Sequence, residues 1–173
     1  MIHWLKIDPE EILDDVIYAR QLTGEDIDES SQPIRKMVRT DIVWAQADIA
    51  NSIQQNEDGV AIFRSIWLDP EAFEKLEARG LGECWAFDSR GAHSYYGSRQ
   101  GVEIVVEARV NPDDIVWPTV IGMWSSGEAE ARIDTRAQVL IEKIRTKGGD
   151  PVREDLWGTE MNVGAAPTAK ATP

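Results

Sequence analysis

The chain has 173 residues, a formal net charge of −13 and 42% hydrophobic residues, which suits one soluble domain. No apolar run is long enough to cross a bilayer and the acidic N-terminus lacks an apolar signal segment, so no membrane span and a cytoplasmic location are expected. One cysteine and two histidines exclude an intrachain disulfide and the usual zinc sites, and the acidic surplus makes nonspecific nucleic-acid binding unfavourable.

Residues 8–22 predict a helix. Asp8 is a suitable N-cap, Pro9 fits the first position, and Glu10 and Glu11 match the positive helix end. Ile12, Leu13, Val16, Ile17 and Ala19 recur at helical spacing, and Thr23-Gly24 closes the run. Residues 24–32 read as a polar loop. Residues 33–55 predict a second helix, with Ile34, Met37, Val38, Asp41, Ile42, Ala45, Ile49 and Ile53 along one face; Asn56 to Gly59 is a turn.

The run VAIFRSIWL at 60–68 predicts a strand, and Asp69-Pro70-Glu71 opens a short helix that Arg79-Gly80 ends. Residues 83–88 (ECWAFD) read as a strand, 89–96 as a loop or a helical turn, and 102–110 (VEIVVEARV) as the clearest strand. Asn111 to Asp114 is a turn, and Pro118 between two short apolar triplets predicts an edge strand or a bend. Residues 130–133 and 137–144 predict the last two strands. The Gly, Pro, Ala and Thr content of the final residues predicts disorder there.

Strands clustered in the second half, with short links, predict an α+β fold: N-terminal helices packed on a mixed or antiparallel β core. The expected division is a helical segment at 1–58, a β-rich core at 59–146 and a C-terminal extension at 147–173.

Three features carry chemistry. Glu128 and Glu130 are two residues apart and share one face if the stretch is extended; they can do acid–base work or stabilise a developing cation, or form an exposed acidic turn. Arg64 lies inside an apolar strand, where its fork can clamp a phosphate or make a structural salt bridge, Glu128 and Glu130 being candidate partners. The segment 80–97 holds Trp85, Phe87, Tyr95 and Tyr96 among glycines, rings able to stack a planar heterocycle or to fill a core. His93 reads as a candidate base or as polar surface.

In this order the parts resemble the bacterial-toxin-type ADP-ribosyltransferases of the Arg–Ser–Glu class. FRSI supplies an arginine, Arg64, similar to the family's early strand arginine; Ala92-His93-Ser94-Tyr95 is similar to its Ala-x-x-aromatic element; GEAEARI resembles its Glu-x-Glu motif. Where the family carries Ser-Thr-Ser, the chain reads Trp85-Ala86-Phe87. The resemblance, over roughly residues 59–145, implies an ADP-ribosyltransferase fold with NAD as substrate. It implies Glu130 as the catalytic carboxylate and Glu128 as the residue that activates the acceptor. Arg64 would hold the diphosphate, with Trp85, Phe87 and Tyr95 around the nicotinamide. The implied activity is ADP-ribosyl transfer to an acceptor, a protein among the candidates, or hydrolysis of NAD. Two alternatives stand beside it: a catalytically inactive binding protein on the same fold, and an acidic protein-interaction or inhibitor protein. The acids are scattered, at Glu10-Glu11, Asp14-Asp15, Glu25 to Glu29 and Glu154-Asp155, rather than set in a regular stripe.

Overall fold

The computed structural model describes residues 5–90, 92, 101–125, 127 and 129–165. Helix α1 (Pro9–Leu22) begins as its sequence dictates, with the Asp8 carboxylate accepting from the Glu10 amide at 3.0 Å. Helix α2 (Gln32–Ser52) buries Val38, Ile42, Ala45 and Ile49 at helical spacing. Strands β1 (Gln55–Asn56) and β2 (Gly59–Leu68) form a hairpin, followed by the short helices α3 (Pro70–Glu74) and α4 (Leu76–Arg79). Strands β3 (Cys84–Ala86) and β4 (Val102–Val110), helix α5 (Trp117–Ser125), and strands β5 (Glu130–Arg132), β6 (Gln138–Thr146) and β7 (Glu160–Asn162) complete the order.

The chain is therefore α+β. The described strands make one antiparallel sheet in the order β5-β3-β2-β4-β6-β7, with β1 paired to β2. Strand alternation divides the sheet into two faces. On the core face, Ile62 and Ile66 of β2, Ile104, Val106 and Ala108 of β4, and Val139, Ile141 and Ile144 of β6 form one continuous cluster. Val16 and Ile17 of α1, Ile42 and Ile49 of α2, and Val120 and Ile121 of α5 belong to it as well. The other face is mixed, with Phe63 and Val105 beside polar and charged side chains. Ser65 donates to Glu103 at 2.7 Å, Lys147 pairs with Glu103 at 3.1 Å, and Arg145 pairs with Glu107 at 3.0 Å.

Two expectations are corrected. The segment around Pro118 is neither edge strand nor bend but helix α5. Pro118 is its second residue, where the missing amide proton has no helical partner to lose, and Val120, Ile121 and Met123 turn inward. Strand β6 is not the last. Glu160–Asn162 adds β7 beside it, with Met161 opposite Val139, so residues beyond 147 supply part of the core: Leu156, Met161 and Val163 are buried.

The sheet curls until its two ends are joined. The Leu81 and Gly82 amides, just ahead of β3, donate to the carbonyls of Asn162, the last residue of β7, and Val163, just past it, at 3.0 and 2.7 Å. Val163 and Gly164 in turn donate to Ala137 and Thr135 at 3.0 and 2.9 Å. This contact demands glycine at position 80, whose φ is +76° and where a Cβ would lie 2.2 Å from the Gly164 carbonyl oxygen.

Gly80→Ala is expected to cost about 3 kcal/mol or more, combining backbone strain with a clash. Gly24→Ala, at φ +94° with open space around it, should cost only about 1–2 kcal/mol from strain. Urea denaturation of the two variants measures the difference, and equal losses would refute a special role for the closure.

Candidate functional site

The order β5-β3-β2 sets Arg64 and Glu130 on strands flanking β3. Register then decides where each side chain goes. Phe63 faces Ala86, and Ala86 faces Glu130, so these three share the outer face. Cys84, two residues before Ala86 and opposite Arg132, lies on that face too. Arg64 and Trp85 alternate to the core face.

Arg64 is opposite Val106 and between Ile62 and Ile66, an apolar neighbourhood for a charge. Its side chain runs out to the start of β3, where Nη1 donates to the Cys84 carbonyl. The guanidinium lies flat against Gly82: φ there is +81°, and a Cβ would fall 2.7 Å from Nη2. Burial pulls the Arg64 pKa below its ordinary value. Its Nε is buried without a hydrogen-bond partner. Among the described residues no carboxylate forms an ion pair with it; Glu130 and Glu83 act on it through space, both already paired to Arg132.

Glu130 is half-buried, its side chain 27% exposed. Oε1 lies 3.0 Å from Arg132 Nη2, close enough for a charge pair but without the alignment of a directed hydrogen bond. Arg132 Nη1 donates to Glu83 at 2.7 Å. The Cys84 thiol completes the group. Burial is the main reason its pKa is raised, and a hydrogen bond to Glu130 and that carboxylate's charge push it further; the Arg132 and Arg64 guanidiniums pull the other way. The result is a thiol under the influence of one carboxylate and two guanidiniums.

The aromatic residues divide differently from the sequence expectation. Trp85 is 3% exposed, its indole donating to the Gly82 carbonyl at 2.8 Å. Phe87, also 3% exposed, stacks on Trp117 at 6.3 Å with an interplanar angle of 3° and meets Trp124 at 6.1 Å. Both rings are engaged by protein, and neither offers a free face to a nicotinamide. Glu128, Tyr95 and His93 lie outside the described residues. Among the described residues no group of His, Cys, Asp and Glu is arranged to hold a metal ion, and no helix is long and apolar enough to cross a membrane.

Comparison with protein-family models, with curated proteins and with solved structures finds no match for the chain.

Sequence reasoning missed Cys84, Arg132 and Glu83. Arg132 was within reach, because a strand at 130–132 puts it on the same face as Glu130. Cys84 and Glu83 carried no such sign, since only the β3–β5 register brings them to Glu130.

As the one cysteine, Cys84 reports on the site. Its raised pKa means that thiolate appears at higher pH than in an ordinary thiol. The pH–rate profile for alkylation is therefore expected to have its midpoint above that of the same chain unfolded in denaturant. Glu130→Gln, which removes a charge that raises the pKa, should move the midpoint down. A midpoint in the folded, unaltered chain at or below that of the unfolded chain would contradict this geometry.

Proposed function

We propose that the chain is an ADP-ribosyltransferase-like domain that binds NAD and breaks its nicotinamide–ribose bond. The observation that carries this reading is the strand order β5-β3-β2, which sets Arg64 and Glu130, from two of the segments that resemble the family, on the strands either side of β3. Arg64, the segment at Trp85 and Glu130 are separated along the chain, yet they occupy adjacent strands. Two further features support it. Arg64 is a half-buried cation with no ion-paired carboxylate among the described residues, suited to an anionic partner such as a diphosphate. Glu130 stands on the outer face of β5, 27% exposed, where a carboxylate can meet a ligand.

In this reading the C–N glycosidic bond breaks and its electron pair leaves with nicotinamide. The ribose carbon becomes oxocarbenium-like, and the Glu130 carboxylate stabilises that charge. An acceptor nucleophile, or water, then bonds to the ribose carbon and gives up its proton. Glu128, upstream in the same motif, is the group assigned to activate or select that nucleophile. Arg64 anchors the diphosphate from the Gly82 end of β3.

A domain that binds the nucleotide without turning it over is the second reading. It is favoured by the Arg132 guanidinium already set against Glu130 and by the occupied faces of Trp85 and Phe87.

The test is nicotinamide release from NAD by the purified chain, with NAD binding followed by calorimetry. Turnover is expected, with Glu130→Gln reducing it by roughly 10²–10³-fold. Arg64→Ala should weaken NAD binding about tenfold or more. Gly82→Ala, which drives a methyl into the Arg64 guanidinium, should weaken it as well. Binding without release would support the second reading, and absence of binding at millimolar NAD would remove both.

A further inference from the structure

We propose that Arg132 is the positioning residue of this site: its guanidinium fork, anchored on Glu83, fixes the Glu130 carboxylate over Cys84 on the outer face. The catalytic consequence rests on the ADP-ribosyltransferase reading; the positioning itself does not.

The geometry has three parts. Register puts Arg132 directly opposite Cys84 and on the same face as Glu130, two residues back along β5. Its two terminal nitrogens reach different carboxylates, Nη1 to Glu83 at 2.7 Å and Nη2 to Glu130 at 3.0 Å. The anchor is itself held, because the Glu83 carbonyl accepts from the Ile133 amide at 2.9 Å and so ties the start of β3 to the end of β5. A carboxylate on a three-residue strand has few neighbours to restrict its rotamers. Here a fork fixed at one end restricts them. A pair between exposed flexible side chains contributes little. This one is only 27% exposed on both sides, and the buried Arg132 Nε finds no partner of its own, so the fork is oriented by its two carboxylates.

Chemically, the fork sets direction. A carboxylate that must face a developing ribosyl cation loses much of its effect when displaced by about 1 Å, a change that can cost roughly 10²-fold in rate. Arg132→Gln should therefore lower kcat for nicotinamide release by about 10–100-fold with KM within about twofold, since substrate binding draws on Arg64. Arg132→Lys, which keeps the charge but cannot span both carboxylates, should recover only part of the loss.

A second readout is independent of turnover. The rate of Cys84 alkylation by iodoacetamide is measured at one pH in the unaltered chain, Glu130→Gln, Arg132→Gln and the double variant, with folding checked by circular dichroism. If Arg132 acts by holding Glu130 against the thiol, its removal matters less once Glu130 is neutral, and the two effects depart from multiplicativity by about threefold or more. If it acts only through its own charge, the effects multiply, and the proposal is overturned. Unchanged or increased kcat in Arg132→Gln would overturn it too. Should the unaltered chain release no nicotinamide, the enzyme reading fails while the alkylation cycle still decides whether Arg132 positions Glu130.

Discussion

The closure between the two ends of the sheet is the contact on which the rest depends. Two backbone hydrogen bonds join Leu81 and Gly82 to Asn162 and Val163, and further bonds tie Val163 and Gly164 to the residues after β5. Backbone amides and carbonyls buried at such a seam must find partners or lose free energy. Here they find them in a segment some eighty residues away. Without that seam the Leu81 and Gly82 amides would lose their partners, leaving the loop before β3 to the Ile133–Glu83 bond and the Arg64 contact. Gly82, against which the Arg64 guanidinium rests, belongs to the same loop. The closure thus stabilises the fold and sets the floor of the candidate site.

Charge is distributed unequally within this frame. The core face carries one guanidinium among apolar side chains, and the outer face of the same strands carries Glu130, Cys84 and Arg132. Arg64 reaches the site by its length. Its Cα lies on the core side, but its head group arrives at the β3 carbonyl edge, where the field of Glu83 and Glu130 extends. A lysine could deliver charge to that edge, but not a flat surface that packs on a glycine while donating to a carbonyl. On the other side of β3, Arg132 neutralises and orients two carboxylates. The short strand β3 therefore lies between two arginines that act on the same pair of carboxylates.

Tryptophan and phenylalanine beside glycines are an ambiguous signal in a sequence, and the structure shows how the ambiguity resolves for this chain. Phe87 stacks on Trp117, the first residue of α5. Helix α5 was itself misread, as an edge strand or bend at Pro118. Of the two roles the sequence left open for Trp85 and Phe87, stacking a ligand or filling the core, both rings take the second.

Local chemistry in the sequence determined the capped α1, the amphipathic α2, the strands β2, β4 and β6 and the α+β class. These elements are written in short-range periodicity and in N-cap and turn residues, which act within a few positions. The sequence also singled out Arg64 and Glu130 by type and order. Tertiary structure alone decided which strands are neighbours, which face each side chain takes, and that residues past 147 return to complete the sheet. Those outcomes depend on register and on contacts between residues far apart in the chain. A shift of one residue would exchange the two faces of a strand without altering its sequence pattern. For the same reason Cys84, Glu83 and Arg132 became visible as one group with Glu130 only once β3 and β5 were paired.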